Sequence, residues 1–247
     1  MNRYILCLIC TIFLFSCTKQ ASGPGTLPDD YSNQQLGASA KDLLTAAKYT
    51  NVTIQVQYMG SYQPDATAIN NTVAFLNSVC NKSGITFMAT QIPSAGMDTL
   101  TLSNVELIEK QNRTAYTSGS TLALYILVTD GVYSQPNVLG VAYRNTSLCL
   151  FGKTIFSHSG GFGQISRLTA ESTVLEHEMG HILGLVDLGT PMVIGHKDAT
   201  NGNHCNNSSC LMYYATETMD MFGMLGMSSA PPLDANCVND LQANGGK

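Results

Sequence analysis

The chain has 247 residues, of which 44% are hydrophobic and only 12% are charged, and its formal net charge is −5. This length and apolar content are enough for one globular domain with a large core. The acidic balance argues against nucleic acid and anionic lipid surfaces as electrostatic partners. We therefore expect one folded domain, at residues 40–247, that binds no nucleic acid.

Residues 1–16 have the pattern of a signal peptide. Arg3 precedes an apolar run at residues 4–15 that is too short to span a bilayer comfortably. The run ends in the sequence LFSC, with the cysteine at Cys17. This ending resembles a bacterial lipobox, which implies a cell-envelope lipoprotein (periplasmic or at the cell surface) held to the membrane by a lipid on Cys17. A secreted protein with an ordinary signal peptide is the alternative. Residues 17–39, rich in Gly, Pro, Ser and Gln, are predicted to be a flexible tether.

Hydrophobic periodicity predicts five strands and three helices ahead of a central helix, and two further helices after it. The predicted strands lie at residues 52–58, 85–89, 122–129, 138–144 and 148–151. The predicted helices lie at residues 40–48, 65–82, 105–111, 172–184, 216–224 and 233–243. Ser172 or Thr173 is expected to cap the central helix. The sequence LALYILVT, at 122–129, is apolar almost throughout, which is typical of a strand that is buried on both faces.

The chain is organised around the stretch ESTVLEHEMGHILGLVDL at residues 171–188, which contains the pattern H-E-x-x-H. On a helix, His177 and His181 lie one above the other on a single face, so both imidazoles can bind one metal ion. Glu178 is rotated away from that face and can deprotonate a metal-bound water instead of binding the metal. Taken alone, the motif is equally compatible with a buried amphipathic helix that carries two incidental histidines.

Two further features follow the motif. Gly184 extends it to H-E-x-x-H-x-x-G and suits a sharp backbone turn, and Met212 lies in a compact segment where a Met-turn is expected. With these features the sequence resembles the metzincin clan of zinc peptidases. The resemblance implies an α+β fold, with a twisted mixed β-sheet, backing helices and an active-site helix (residues 40–185), and a smaller irregular C-terminal subdomain (residues 186–247). It also implies that the edge strand before the helix, at 140–145 or 148–151, pairs with extended substrate.

The third metal ligand is open between two residues, since a catalytic zinc takes three protein ligands and one water. Asp187 completes H-E-x-x-H-x-x-G-x-x-D, which resembles the snapalysin-like branch of the clan. His204 begins the pattern H-C-x4-C-x-M, which resembles that of the archaemetzincins, although an insertion at 187–203 separates it from the helix. We favour His204, because an imidazole matches a site built from histidines. His196 is a weaker candidate.

The resemblance implies a zinc-dependent metalloendopeptidase whose Zn²⁺-bound water is activated by Glu178. It implies that Met212 lies beneath the metal as a hydrophobic floor and that Tyr214 steadies the tetrahedral intermediate. The partner is then a protein or peptide substrate, and we expect the enzyme to be a monomer. The alternative function is a catalytically silent, surface-anchored binding protein with the same fold.

Five cysteines follow Cys17, and this odd number leaves at least one thiol unpaired. Cys205 and Cys210 are close in sequence and are predicted to form a disulfide that would hold His204 against the Met-turn. Downstream of them only Cys237 remains, so the C-x-x-C of the archaemetzincins is missing. We therefore do not expect that family's second, structural zinc.

Overall fold

The computed structural model describes residues 30–223 and 227–247. The predicted signal peptide, Cys17 and most of the predicted tether therefore lie outside the described residues. Within the described ranges, no helix combines the length and the apolar character needed to cross a membrane.

A five-stranded sheet with the strand order β2-β1-β4-β7-β6 forms the centre of the fold. Neighbouring strands are parallel except for β6 and β7, which are antiparallel. Two short strands, β3 and β5, pair separately in parallel. The strands are β1 Asn51–Met59, β2 Gly84–Ile92, β3 Thr99–Leu100, β4 Thr121–Val128, β5 Val132–Tyr133, β6 Gly140–Arg144 and β7 Ser147–Leu150. The predicted mixed sheet is thus confirmed, and it is mostly parallel.

Helices cover both faces of this sheet. They are α1 Ala40–Leu44, α2 Ala66–Val79, α3 Leu102–Asn112, α4 Gly152–His158, α5 Arg167–Ile182 and α6 Ala235–Ala243. Successive side chains of β4 alternate between two cores, as the pleat of a strand requires. Leu124 and Ile126 belong to the core shared with α2 and α5, whereas Tyr125 and Leu127 belong to the core shared with α3. This double burial explains why the β4 sequence is almost uniformly apolar.

Strand β6 is the edge of the sheet next to α5, and β7 lies between β6 and β4. Of the two segments that the sequence offered as a substrate-pairing edge, only the one at residues 140–145 is therefore at an edge. The pairing of β6 with β7 has an irregularity in register between Ala142 and Arg144.

Helix boundaries differ from the predicted ones where the capping residue lies further upstream. Helix α5 begins at Arg167, and its cap is Ser166, whose Oγ accepts a hydrogen bond from the Thr169 amide at 3.0 Å. Ser172 and Thr173, expected as caps, are instead buried inside the helix. The helix predicted at 40–48 ends at residue 44, and α4 was not predicted. The helix predicted at 216–224 is replaced by two 3-10 helices, Tyr214–Glu217 and Met219–Gly223.

Residues 30–39 pack against the domain, so the prediction of a flexible tether is wrong for this part of 17–39. A 3-10 helix spans Asp30–Asn33. The buried side chain of Asn145 accepts a hydrogen bond from the Gln34 amide at 3.1 Å. It donates to the Tyr31 carbonyl and to Ser39 Oγ, both at 2.6 Å. Residues 31–39 thus provide the hydrogen-bond partners of the buried Asn145 amide, which lies more than 100 residues away in sequence. The local composition on which the tether was predicted contains no information about this contact.

Candidate metal centre

Helix α5 holds His177, Glu178 and His181 inside the protein. The exposed fraction is 0% for His177 and Glu178 and 6% for His181. The two histidine Nε2 atoms are 3.1 Å apart, as expected for residues on one helical face. The chain turns sharply after the helix at Gly184, whose φ is +76° and where a Cβ would lie 2.7 Å from the Thr190 amide nitrogen.

His204 joins the two helical histidines from the loop that follows the insertion. The ligand atoms of His177, His181, His204 and Glu217 all lie within 4.8 Å of one another. An antiparallel bridge between Lys197 and Cys205 returns the chain to this point. The structure thus brings the favoured third ligand to the site predicted from the helix.

The other predicted site residues lie elsewhere. Asp187 has a left-handed φ of 68°, directly after the strained Val186 at 53°. Its carboxylate is 62% exposed and lies 3.4 Å from Lys197 Nζ, so the structure does not bring Asp187 into the cluster. Tyr214 begins a 3-10 helix and packs its ring against Tyr213, and this placement gives no support for a role beside the metal. His196 belongs to a second cluster, described below.

Backbone carbonyls fix the tautomers of two of the three histidines. His177 Nδ1 lies 2.7 Å from the Leu211 carbonyl oxygen, and His204 Nδ1 lies 2.6 Å from that of Asn201. A carbonyl oxygen only accepts, so each Nδ1 carries the proton and each Nε2 presents a lone pair to the cluster when the ring is neutral. Burial and the neighbouring His177 lower the pKa of His181 well below its usual value, which favours the neutral, metal-binding form.

This donor set fits a bound cation. His204 Nε2 is buried and makes no hydrogen bond, and the same is true of Glu178 Oε1. Converging nitrogen lone pairs repel one another unless a positive charge lies between them, and imidazole nitrogen is a preferred ligand of zinc. The residues present are therefore suited to a zinc ion held by His177, His181 and His204.

Glu217 is the member of this cluster that sequence reasoning missed. Its Oε1 lies 3.2 Å from His204 Nε2, and its Oε2 lies 3.5 Å from His177 Nε2 and 3.8 Å from His181 Nε2. It ends the 3-10 helix Tyr214–Glu217, five residues after Met212. Only that position, shortly after the Met-turn, distinguished it from other acidic residues in the sequence.

The carboxylate of Glu178 is hydrogen-bonded to the backbone of the edge strand. Its Oε2 accepts a hydrogen bond from the amide of Ala142, in β6, at 2.6 Å. Strand and helix approach so closely that a Cβ at Gly140 would lie 2.8 Å from Glu178 Oε1. Burial, and secondarily the charge of Glu217, raise the pKa of Glu178 well above its usual value.

A second cluster gathers His196 and the cysteines near α6. His196 Nε2 lies 2.8 Å from Asp240 Oδ2, and its Nδ1 lies 3.3 Å from Cys205 Sγ. Cys210 Sγ lies 3.7 Å from Cys237 Sγ. All five cysteines in the described ranges are free thiols, so the predicted Cys205–Cys210 disulfide is wrong.

Cys210 has the environment of a thiolate. Its sulfur accepts hydrogen bonds from the backbone amides of Met212 at 3.4 Å and Asp234 at 3.3 Å. The contact with Cys237 and these two amides lower the pKa of Cys210 to about 7, although burial opposes them. A group formed by His196, Cys205, Asp234 and Cys237 also has its ligand atoms within 4.8 Å of one another and could hold a metal ion.

Comparison with solved structures identifies the fold. The structure aligns with that of archaemetzincin from Methanopyrus kandleri, with a TM-score of 0.52 and 13% identity, over 80% of this chain and 96% of that chain. Metalloproteinase-II from Bacteroides fragilis aligns over 88% of this chain and 58% of that chain, with 13% identity and a TM-score of 0.45. No family model and no curated protein matches the sequence. The chain therefore has an archaemetzincin-like zincin fold, with a mostly parallel sheet, helices and a histidine-rich potential metal site.

Proposed function

We propose that the chain is a zinc-dependent metalloendopeptidase. The observation that carries this proposal is the convergence of His177, His181 and His204, from two segments that are distant in sequence, beside Glu178. Buried imidazoles whose Nδ1–H is donated to a backbone carbonyl, as in His177 and His204, are typical zinc ligands. A zinc ion bound there would supply Lewis-acid chemistry, lowering the pKa of a water molecule and polarising a peptide carbonyl.

Glu178 is the proposed general base. The Ala142 amide fixes one carboxylate oxygen at 2.6 Å, while the other is buried without a hydrogen-bond partner. The free oxygen would take a proton from the attacking water and later pass it to the leaving amine. Because Ala142 belongs to the edge strand, the same hydrogen bond couples the position of the base to β6.

The proposed substrate is an extended segment of a protein or peptide. An edge strand presents backbone groups that can pair with an incoming chain, and β6 is the sheet edge beside Glu178. The archaemetzincin-like fold supports this choice at the level of architecture.

Hydrolysis of labelled, unfolded casein by zinc-loaded protein tests the proposal. We expect cleavage that a chelator abolishes and zinc restores. Glu178→Gln should keep the bound metal and lose about 10²–10⁴-fold in rate, the usual contribution of a general base. Glu176→Gln, a substitution on the same helix at a partly exposed position, is the matched control and should cleave normally. Normal turnover by Glu178→Gln, or full metal content in His181→Ala, would refute the proposal.

We also propose that the second cluster binds a structural zinc, although the missing C-x-x-C had argued against one. The group whose ligand atoms converge is His196, Cys205, Asp234 and Cys237. Cys210, whose sulfur is close to that of Cys237, is a further candidate ligand. The distance of 3.7 Å between the sulfurs of Cys210 and Cys237 is close to the edge of about 3.8 Å expected for tetrahedral Zn–S bonds of about 2.3 Å. Asp240 binds the far nitrogen of His196, as a carboxylate often does behind a metal-bound histidine.

The lipobox at Cys17 supports a proposal about location. The protein would be a lipoprotein of a bacterial cell envelope, with the domain tethered by residues upstream of 30. Labelling of expressing cells with a palmitate analogue should mark the wild-type protein and not Cys17→Ser. Labelling of neither protein would favour the secreted alternative, and equal labelling of both would show that the lipid is attached elsewhere.

A further inference from the structure

Glu217 lies where a fourth metal ligand would lie. Zn–N and Zn–O bonds of about 2.0 Å give a tetrahedron whose edges are about 3.3 Å. Glu217 Oε1 lies 3.2 Å from His204 Nε2, and Glu217 Oε2 lies 3.5 Å and 3.8 Å from the Nε2 atoms of His177 and His181, which are 3.1 Å apart. One carboxylate oxygen and the three nitrogens lie within 4.8 Å of one another, a spacing that ligands of one ion can have.

Without a metal, His204 and Glu217 form an ion pair at 3.2 Å, and, although burial opposes it, the carboxylate raises the pKa of His204. His204 donates Nδ1–H to Asn201, and its Nε2 makes no hydrogen bond although Glu217 Oε1 is only 3.2 Å away. When the ring is neutral, its Nε2 lone pair faces the carboxylate, and this arrangement is repulsive unless a proton or a metal ion lies between the two atoms. A metal ion in that position would take the place of the proton and have both atoms as ligands.

The backbone holds Glu217 in this position from two sides. Its carbonyl accepts a hydrogen bond from the Leu139 amide at 2.8 Å, and the Met219 amide donates to the Asn137 carbonyl at 2.8 Å. These two bonds enclose an antiparallel bridge between Val138 and Thr218. Residues 217–219 therefore pair with the chain immediately before β6, the strand proposed to receive substrate.

On the other side, the 3-10 helix that ends at Glu217 is fixed to α5. Thr216 Oγ1 lies 2.5 Å from His177 Nδ1 and 2.7 Å from the Leu211 carbonyl oxygen. Thr216 is 1% exposed, so its hydroxyl forms part of the buried wall behind His177. The backbone of Glu217 is therefore held between α5 and the segment before β6.

We propose that Glu217 is the fourth ligand of the metal and closes the catalytic site from within the chain. Structural zinc sites have four protein ligands, whereas catalytic sites keep one position for water. With Glu217 bound, no position is left for the water that Glu178 must activate. Peptide hydrolysis then requires the segment at 214–219 to withdraw, and an extended substrate that displaces the pairing at 137–139 would cause this. The inference rests on the proposed zinc site and peptidase activity.

Cobalt substitution tests the coordination independently of activity. The visible absorption of Co²⁺ depends on the number and type of its ligands, so Glu217→Gln and Glu217→Ala should both change the spectrum of the ion in the histidine site. Asp220→Asn, an exposed acid in the adjoining 3-10 helix, is the matched control and should leave it unchanged. The cysteine cluster contributes equally to all spectra and cancels in the difference.

Acetohydroxamate, which needs open coordination positions, tests access to the metal. We expect it to bind Glu217→Gln and Glu217→Ala more than about tenfold more tightly than wild type, a change that corresponds to about 1.4 kcal/mol. Both variants should also cleave unfolded casein faster than wild type and Asp220→Asn. Circular dichroism establishes that each variant is folded, and the glutamine substitution preserves the shape of the side chain.

The outcomes separate this inference from the proposed function. Unchanged cobalt spectra and unchanged hydroxamate affinity in both Glu217 variants would overturn the role of Glu217, even if all proteins cleave casein. Changed spectra and tighter hydroxamate binding, with no cleavage by any variant, would support Glu217 as a ligand. That second result would refute the peptidase and favour the catalytically silent binding protein.

Discussion

The sulfur of Met212 occupies the space in which a side chain at Gly180 would begin. A Cβ built on Gly180 would lie 2.2 Å from Met212 Sδ and 3.0 Å from its terminal methyl carbon. Gly180 lies between the two helical histidines in sequence, and Met212 is completely buried. Because glycine has no side chain at this position of the H-E-x-x-H motif, Met212 can pack directly against the helix that carries the site.

Gly180→Ala should destabilise the protein, contrary to the usual effect of this substitution in a helix. Alanine has a higher helix propensity than glycine by about 1 kcal/mol. Overpacking a closed core costs about 1–3 kcal/mol, and here the clash is with a buried side chain. We expect a lower urea midpoint and weaker zinc binding. Gly195→Ala, where no atom lies within 4 Å of the new Cβ, should change neither.

The same clash can be tested with a double-mutant cycle. If Met212 is the obstacle, Gly180→Ala should cost clearly less in a Met212→Ala background than in wild type. Additive free energies of unfolding would show that the two residues do not interact and would contradict the packing described above.

His204 and Asp187, the two candidates for the third ligand, differ in their expected effect on metal content. Removing a ligand from the cluster leaves two histidines, which hold zinc far more weakly than three. His204→Ala should therefore lose one equivalent of bound zinc after dialysis. Asp187→Asn should retain it, because this carboxylate is exposed beside Lys197. Elemental analysis of both variants decides between them, and the reverse result would restore Asp187 as the ligand.

The sequence predicted the parts of this protein that have a local periodic signal. The apolar run of β4 and the histidine spacing on α5 each depend on one element, and both match the structure. His204 was found through a short motif, although an insertion separates it from the helix. The prediction failed where a segment depends on partners that are distant in sequence. Residues 30–39 were assigned to a tether because Asn145, the side chain that they bind, lies far along the chain.

Glu217 and His196 show the same limit within the site. A single glutamate after the Met-turn has no spacing relation to the histidines, because the fold and not the helix pitch brings it there. His196 was considered a weak alternative for the first metal. It instead approaches Cys205 from within the insertion, where no C-x-x-C pattern pointed to it.

The second cluster predicts a metal that stabilises the fold rather than catalyses a reaction. Wild-type protein should bind two equivalents of zinc, and His196→Ala and Cys237→Ser should each bind one. A metal that binds only the folded state adds its binding free energy to the free energy of unfolding. Both variants should therefore unfold at a lower temperature than wild type and should not be stabilised by added zinc as wild type is. Cys149→Ser, at a buried cysteine outside the cluster, is the control for losing a thiol and should retain two equivalents. Two equivalents in His196→Ala would exclude His196 as a ligand.

Glu171 predicts a loss of stability as the pH rises from weakly acidic to neutral. Burial raises its pKa to about 7, against the opposing hydrogen bond from the Asp65 amide at 2.7 Å and the charge of Arg167 at 3.6 Å. The folded state then binds the proton more tightly than the unfolded state, in which the pKa of a glutamate is about 4.3.

The stabilisation of the folded state by this proton is therefore fully present below about pH 4.3 and is lost as the pH rises through about 7. It amounts to roughly 3–4 kcal/mol, at about 1.36 kcal/mol for each pKa unit between the two states. Glu171→Gln keeps an acceptor for Asp65 and removes the titration, so the difference in unfolding free energy between variant and wild type should grow over this range. Because metal ligands titrate equally in both proteins, only this difference is diagnostic, and a difference that stays constant with pH would show that Glu171 ionises at its ordinary value.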